Sequence, residues 1–125
     1  LDELLSTSDF VILCTSLTEH NRKMMNKETL KIMKPTAFLI NISRGDLINE
    51  DDLIEALIQN RLKGAALDVF ASEPPTNVLA KLPNVVATPH NGGATYEAIQ
   101  NIGAITMQNL RQFLKNEELD FVIKP

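Results

Sequence analysis

Side chains that can bind anions or exchange protons follow four separate apolar runs of this sequence. They are Thr15 and Ser16 after the first run, Ser43, Arg44 and Gly45 after the second, Asp68 and Glu73 after the third, and His90, Asn91, Gly92 and Gly93 after the fourth. A guanidinium can hold a carboxylate through two parallel hydrogen bonds, and an imidazole beside a carboxylate can exchange protons near neutral pH. The set has catalytic potential only if the fold brings these positions together.

The runs that precede these residues have the length of strands. They cover residues 10–14, 37–42, 65–69 and 85–87, and near-continuous apolar runs are typical of strands buried on both faces of a parallel sheet. Helical segments are predicted at residues 2–8, at 27–33, and from the potential N-cap Asn49 to a stop at Lys63 and Gly64. Strands that alternate with helices predict an α/β fold with a parallel sheet. Ligands bind such sheets beyond the carboxyl ends of the strands, so we expect the four sets of side chains at one edge.

The last third of the chain has a different pattern. From Ala94 to about Asn116 an apolar or small residue recurs every three or four positions, at Tyr96, Ile99, Ile102, Thr106, Leu110, Phe113 and Leu114. This spacing predicts one long amphipathic helix that lies across an apolar surface.

Composition excludes several classes of protein. The 125 residues are 44% hydrophobic and 22% charged, with a net charge of −4 and no long run of either sign. We therefore expect neither a nucleic-acid nor a membrane partner, because no basic patch is visible and no apolar run approaches the roughly 20 residues of a membrane span. No secretory signal is visible, and the single cysteine, Cys14, cannot form an internal disulfide. Both observations fit a cytoplasmic protein.

Each candidate residue also has a purely structural interpretation. Arg44 could be a turn residue, Asp68 a cap at a strand end, Glu73 a solvated loop residue and His90 a hydrogen-bonded polar side chain. The pair Gly92 and Gly93 could form a simple turn or could present backbone N–H groups to a phosphate. Their predicted convergence at one edge favours the functional interpretation.

Three linked segments resemble the D-isomer-specific 2-hydroxyacid dehydrogenases. They are Asn-Ile-Ser-Arg-Gly at residues 41–45, Gly-Ala-Ala-Leu-Asp-Val-Phe at 64–70 with Glu73 and Pro74, and Thr-Pro-His-Asn-Gly-Gly-Ala-Thr at 88–95. Order and spacing match over nearly the whole chain, and the glyoxylate/hydroxypyruvate reductase and phosphoglycerate dehydrogenase branches are the most similar. The resemblance implies an oxidoreductase that transfers a hydride between NAD(P)H and a small 2-oxo or 2-hydroxy acid of the glyoxylate or hydroxypyruvate type. The chain departs from the family pattern at Asn91 and at the pair Ala71 and Ser72.

The resemblance assigns roles to individual residues. Arg44 would hold the carboxylate and carbonyl of the 2-oxo acid, His90 would protonate the carbonyl oxygen, and Glu73 would hydrogen-bond His90 and favour its charged form. The implied cofactor contacts are Thr15, Ile42, Ser43, Arg44, Asp68, His90, Gly92 and Gly93. No metal site is implied.

A complete Rossmann domain begins with a strand, a G-x-G-x-x-G loop and a helix, and this sequence contains no G-x-G-x-x-G. Residues 1–93 therefore resemble the second half of a Rossmann-like nucleotide-binding domain, and residues 94–125 a helix and tail that return to a substrate domain. We interpret the sequence as part of a longer protein and expect it to be inactive alone. The acidic residue that binds the adenine ribose of the cofactor is missing too. The resemblance therefore implies NAD as the cofactor but does not distinguish it from NADP.

Two further expectations concern partners and alternatives. An unprotected first strand or the apolar face of the long helix would favour self-association, most simply as a homodimer. A nucleotide-binding interaction module, similar to dehydrogenase-like corepressors, and an inactive remnant both remain as alternatives, because such corepressors resemble the enzymes at Arg44, Glu73 and His90.

Overall fold

A computed structural model describes residues 1–122, which form two compact units, one of residues 1–91 and the other from Gly92 onward. The first unit contains α1 (Asp2–Thr7), β1 (Phe10–Leu13), α2 (Lys27–Ile32), β2 (Phe38–Asn41), α3 (Glu50–Ile58), β3 (Gly64–Leu67) and β4 (Val85–Ala87). Short 3-10 turns lie at Gly45–Leu47 and Leu79–Lys81. The second unit contains α4 (Tyr96–Leu114). No helix within residues 1–122 is long and apolar enough to cross a bilayer.

The four strands form one parallel sheet in the order β1-β2-β3-β4. The α/β class, the parallel sheet and the long C-terminal helix are therefore confirmed. In-register side chains of parallel strands share a face, so Val11, Leu39 and Ala65 lie on the same side of the sheet. These three are buried together with leucines from α1, α2 and α3, which pack on that side. Burial of this face supplies the main stabilisation of the unit.

The helices of residues 1–91 leave the opposite face of the sheet exposed, so the expectation of strands buried on both faces is wrong for this unit. Phe10, Ile12 and Val86 are 63%, 53% and 66% exposed. The rings of Phe10 and Phe38 stack on this face with their centroids 5.5 Å apart. The strands are apolar on both sides, but helices of the first unit cover only one of them.

The ends of the helices differ in part from the prediction. Helix α3 begins after Asn49 as expected, but the Asn49 side chain makes no capping bond, and the helix has three acidic residues in its first turn instead. The predicted stop at Lys63 and Gly64 is wrong: α3 ends at Ile58, and Asn60 has a left-handed φ of 54°. Asparagine tolerates this conformation better than most residues and so ends the helix early.

The second unit consists of α4 and the segment that follows it. Thr95 caps the helix, since its hydroxyl accepts a hydrogen bond from the Ala98 N–H at 3.1 Å. After the helix, the Asp120 carboxylate accepts hydrogen bonds from Gln108 and Gln112 at 2.5 and 2.9 Å. The helix is amphipathic as predicted, and none of its described residues is buried.

Candidate functional site

The turn that carries Arg44 is shaped by a buried asparagine at the end of β2. Asn41 has no exposed surface. Its amide group donates to the Arg44 carbonyl at 2.8 Å and its Oδ1 accepts from the Ser43 N–H at 3.1 Å. Two bonds from one buried side chain thus fix the backbone at Ser43 and at Arg44. The sequence analysis missed this role, although a polar residue at a core-facing strand position was a usable signal.

A glycine joins the Arg44 turn to the loop after β3. A Cβ placed on Gly45 would lie 2.0 Å from the Phe70 carbonyl carbon and 2.3 Å from the Ala71 nitrogen. Its φ is not positive, so glycine is needed here for close backbone approach rather than for conformational freedom. The loop that carries Glu73 is therefore packed directly against the loop that carries Arg44.

Glu73 and His90 form a hydrogen-bonded pair. The Glu73 Oε2 lies 2.8 Å from the His90 Nδ1, while its Oε1 accepts from the Phe70 N–H at 3.2 Å. The hydrogen bond with His90 is the largest cause of a lowered pKa at Glu73, and the Phe70 N–H adds to it. Glu73 is exposed and lies in a loop, as the structural interpretation expects, but both of its carboxylate oxygens are hydrogen-bonded and its ionised form is favoured. Because Glu73 engages Nδ1, the Nε2 of His90 is the ring nitrogen left to exchange a proton with a ligand.

The His90 backbone has a left-handed φ of 53° and is held by its neighbours in sequence. The Asp68 carboxylate, 7% exposed, accepts hydrogen bonds from the Thr88 hydroxyl at 2.5 Å and from the Asn91 N–H at 3.0 Å. The loop is thereby fixed on both sides of His90. The Asn91 contact uses the backbone, so the departure from the family pattern at this position does not disturb it.

Arg44, Glu73 and His90 line one cavity of about 250 Å³, which we call the site cavity. The structure therefore brings together the three residues for which the resemblance implied catalysis. The guanidinium of Arg44 is exposed and donates to the Ser43 carbonyl at 2.7 Å. An anionic group in this cavity could bind to Arg44 and exchange a proton with His90.

A second cavity, of about 510 Å³, shares Arg44 with the site cavity. It is lined by Thr15, Ile42 and Ser43 as well, and the Ser43 hydroxyl donates to the Thr15 carbonyl. Four of the residues implied to contact the cofactor thus meet here. Asp68 lies elsewhere, in a cavity of about 420 Å³ with Thr88 and His90. Gly92 and Gly93 belong to the second unit, where they form a turn before α4, and their contact with a cofactor stays a prediction.

The lining of the second cavity fits part of a dinucleotide. Hydroxyl and backbone groups of Thr15 and Ser43 can bond polar atoms of a ribose or carboxamide, and Ile42 offers an apolar side chain to a ring. The cavity adjoins the site cavity at Arg44. A ring bound in one cavity would therefore adjoin a substrate bound in the other.

Known proteins resemble this chain in sequence and in fold. The family described as "D-isomer specific 2-hydroxyacid dehydrogenase, NAD binding domain" matches residues 1–92. A glyoxylate reductase of Pyrococcus furiosus is 48% identical over 118 residues, which are 94% of this chain and 35% of that protein. A glyoxylate/hydroxypyruvate reductase B of Pectobacterium carotovorum is 42% identical over 127 residues, covering all of this chain and 40% of that protein.

The solved structure of the D-lactate dehydrogenase of Lactobacillus jensenii with NAD+ is similar too. It superposes with a TM-score of 0.91 at 30% identity, over 99% of this chain and 42% of that one. The chain spans 35–40% of the length of the two curated relatives named above. The match of the family to residues 1–92 settles the resemblance seen in the sequence: the chain belongs to the D-isomer-specific 2-hydroxyacid dehydrogenase family, and residues 1–92 correspond to its NAD-binding domain.

Proposed function

We propose that the full-length gene product is an NAD(P)-dependent D-2-hydroxyacid dehydrogenase that reduces a small 2-oxo acid of the glyoxylate or hydroxypyruvate type. The observation that carries the proposal is the placement of Arg44, Glu73 and His90 around one cavity, with Glu73 and His90 at 2.8 Å. The substrate class is supported by relatives named glyoxylate reductase and glyoxylate/hydroxypyruvate reductase.

Arg44 is proposed to bind and orient the substrate. Its guanidinium is exposed and its backbone is fixed by Asn41, so the side chain can turn from the Ser43 carbonyl to a carboxylate without moving the turn. Two parallel hydrogen bonds would align the carboxylate and leave the neighbouring carbonyl facing the cavity. A lysine could supply the charge but not this two-point geometry.

His90 is proposed to protonate the substrate carbonyl oxygen during reduction and to accept the proton in the reverse reaction. Glu73 holds Nδ1 at 2.8 Å and so fixes the orientation of the His90 ring, with Nε2 available to the substrate. The proton at Nε2 is then the one that is transferred. The carbonyl carbon would receive the second hydrogen together with the two reducing electrons as a hydride, which the nicotinamide would supply when the cofactor is bound.

The cofactor is proposed to be NAD, with NADP not distinguished by the residues present. Thr15, Ile42, Ser43 and Arg44 would hold it at the second cavity. Asp68, His90, Gly92 and Gly93 complete the proposed contact set. The match of residues 1–92 to an NAD-binding domain supports this assignment.

The test is oxidation of NADH by the full-length gene product with glyoxylate, hydroxypyruvate and pyruvate. The Arg44→Lys variant should lose at least about tenfold in kcat/KM, or about 1.4 kcal/mol of transition-state stabilisation. Arg61→Lys is the matched control, since Arg61 is exposed and donates to Gln59 away from the site cavity. A loss below tenfold at Arg44 would remove it as the substrate anchor. NADH binding without turnover of any of the acids would favour a nucleotide-binding interaction module instead.

We further propose that the protein is cytoplasmic and self-associates. Support for self-association comes from β1, which lies at the edge of the sheet and exposes Phe10 and Ile12, since an unpaired apolar edge strand offers a surface to a second copy. The apolar residues of α4 form a second exposed surface. Sedimentation should show a concentration-dependent dimer, and a monomer at all concentrations would contradict the proposal.

A further inference from the structure

A single carboxylate holds the loop that carries Glu73. Glu50, the first residue of α3, accepts a hydrogen bond at Oε1 from the Ala71 N–H at 2.7 Å and one at Oε2 from the Asn77 side chain at 2.5 Å. Ala71 and Asn77 lie on opposite sides of Glu73 in the sequence. Both oxygens of Glu50 thus bind the same loop, one on each side of Glu73.

The part of the loop around Glu73 has no regular secondary structure to keep its shape. Residues 68–78 form no helix or strand. Asn77 is itself fixed, because its Oδ1 accepts from the N–H of Leu79, which is 1% exposed. Glu50 therefore connects the loop to α3 on one side and, through Asn77, to the buried core on the other. Hydrogen bonds to an ionised acceptor are roughly twice as strong as neutral ones, so loss of both would loosen the loop.

We propose that Glu50 is a positioning residue that keeps Glu73 within hydrogen-bond distance of His90. It acts through the loop, and it is not among the described residues that line the site cavity. The proposal rests on the proposed function, because Glu50 would position the Glu73 side chain that holds His90, the proposed proton donor. Its role is separate from that of Gly45, which lets the loop approach the Arg44 turn but does not bind it.

The sign of one titration separates positioning from a simple charge effect. The Glu73 pKa is lowered chiefly by its hydrogen bond with His90. If Glu50→Gln loosens the loop, that bond is populated less and the Glu73 pKa rises toward its ordinary value of 4.5. If Glu50 acted only as a nearby negative charge, its removal would lower the Glu73 pKa further. The two interpretations predict shifts of opposite sign.

The experiment is a carbon-13 NMR titration of the Glu73 carboxylate in this chain, assigned with Glu73→Gln. Glu50→Gln should raise the Glu73 pKa. Asp51→Asn is the matched control, because it removes the same charge one residue along the same helix turn and the described residues include no side-chain partner of Asp51. It should leave the Glu73 pKa unchanged or slightly lower. A Glu73 pKa that falls or stays constant in Glu50→Gln would overturn the proposal.

Two further measurements keep the test decisive. If Glu50→Gln does not fold, Asn77→Ala removes one of the two bonds with no change of charge, and it should raise the Glu73 pKa in the same direction; no shift in that variant would also overturn the proposal. In the full-length gene product, Glu50→Gln should lower kcat by less than Glu73→Gln does while KM for the 2-oxo acid stays within about twofold. The titration needs no turnover, so failure of the proposed function and failure of this proposal give different results.

Discussion

Replacing Gly45 with alanine tests whether the two loops of the site are held together by backbone contact. The new Cβ would lie 2.0 Å from the Phe70 carbonyl carbon, 2.2 Å from the Phe70 oxygen and 2.3 Å from the Ala71 nitrogen. All three are main-chain atoms, so no side-chain rotation relieves the clash. The Arg44 turn and the Glu73 loop must separate instead.

The size of that separation follows from the same distances. An ordinary carbon contact needs about 3.4 Å, so the backbones must move apart by about 1.4 Å. Gly45 is buried, and it lies between the turn fixed by Asn41 and the loop held by Glu50. Insertion of one methyl group into a packed region costs about 1–3 kcal/mol, and because the three close contacts are all main-chain atoms we place Gly45→Ala at about 2–3 kcal/mol or above.

Urea denaturation followed by circular dichroism measures this cost. Gly103→Ala is the matched control, since no heavy atom lies within 4 Å of its added Cβ, and alanine within α4 should stabilise the helix by up to about 1 kcal/mol. Gly64→Ala should fall between the two, because its closest contacts are the Asn84 carbonyl oxygen at 2.7 Å and the Phe38 ring at 3.2 Å. A loss below about 0.5 kcal/mol for Gly45→Ala would refute the backbone-contact argument.

Four more predictions concern the groups that shape the site. His90→Gln should raise the Glu73 pKa toward 4.5, since it removes the largest cause of the lowered value, and a carbon-13 titration that shows no rise would contradict the pair. The same pair should make stability depend on pH. Because the Glu73 pKa is lower in the folded protein than its ordinary value of 4.5, ionised Glu73 stabilises the fold above pH 4.5. The difference in unfolding free energy between wild type and Glu73→Gln should therefore disappear as the pH falls through the lowered pKa of Glu73. Asn41→Leu should cost about 1–3 kcal/mol in urea unfolding, because the Ser43 N–H and the Arg44 carbonyl lose a buried partner, and an unchanged midpoint would show that the turn does not depend on Asn41. Thr88→Val should destabilise by about 1–3 kcal/mol through loss of the hydroxyl that bonds Asp68, whereas Thr88→Ser should retain most of that stability; equal losses would exclude the hydrogen bond as the cause.

The sequence was sufficient to predict that the candidate site residues meet at one edge of the sheet, because that outcome follows from general properties of parallel sheets. Short apolar runs that alternate with helices favour parallel strands, and parallel strands place their carboxyl ends together. Arg44, Glu73 and His90 each follow such a run, and the structure places all three at one cavity. Neither step depends on a particular long-range contact, so local patterns were sufficient.

The groups that fix this geometry could not be predicted in the same way. Glu50 binds Ala71, which is 21 positions away, and the contact between Gly45 and Phe70 joins residues 25 positions apart. Nothing in the local sequence around Glu50 or Gly45 specifies those partners, since each also suits a helix start or a turn. The predicted end of α3 is wrong for a related reason. In the sequence, Gly64 is typical of the residue that follows a helix, but in the structure it begins β3, where it packs closely against neighbouring residues.

Arg44, the proposed substrate anchor, and His90, the proposed proton donor, are connected through the loop between them. Gly45, next to Arg44, packs on the Phe70 and Ala71 backbone, the Phe70 N–H binds Glu73, and Glu73 binds His90. Every link is a close contact or a hydrogen bond within residues 1–91, so the spacing between the Arg44 backbone and the His90 ring is set inside this unit. If Arg44 binds the substrate and His90 donates the proton as proposed, the positions of both groups depend on the same loop. The effects of mutations at the two ends of this connection, at Gly45 and at His90, should therefore be non-additive, because a shift of the Phe70 backbone displaces the Arg44 turn and Glu73 together.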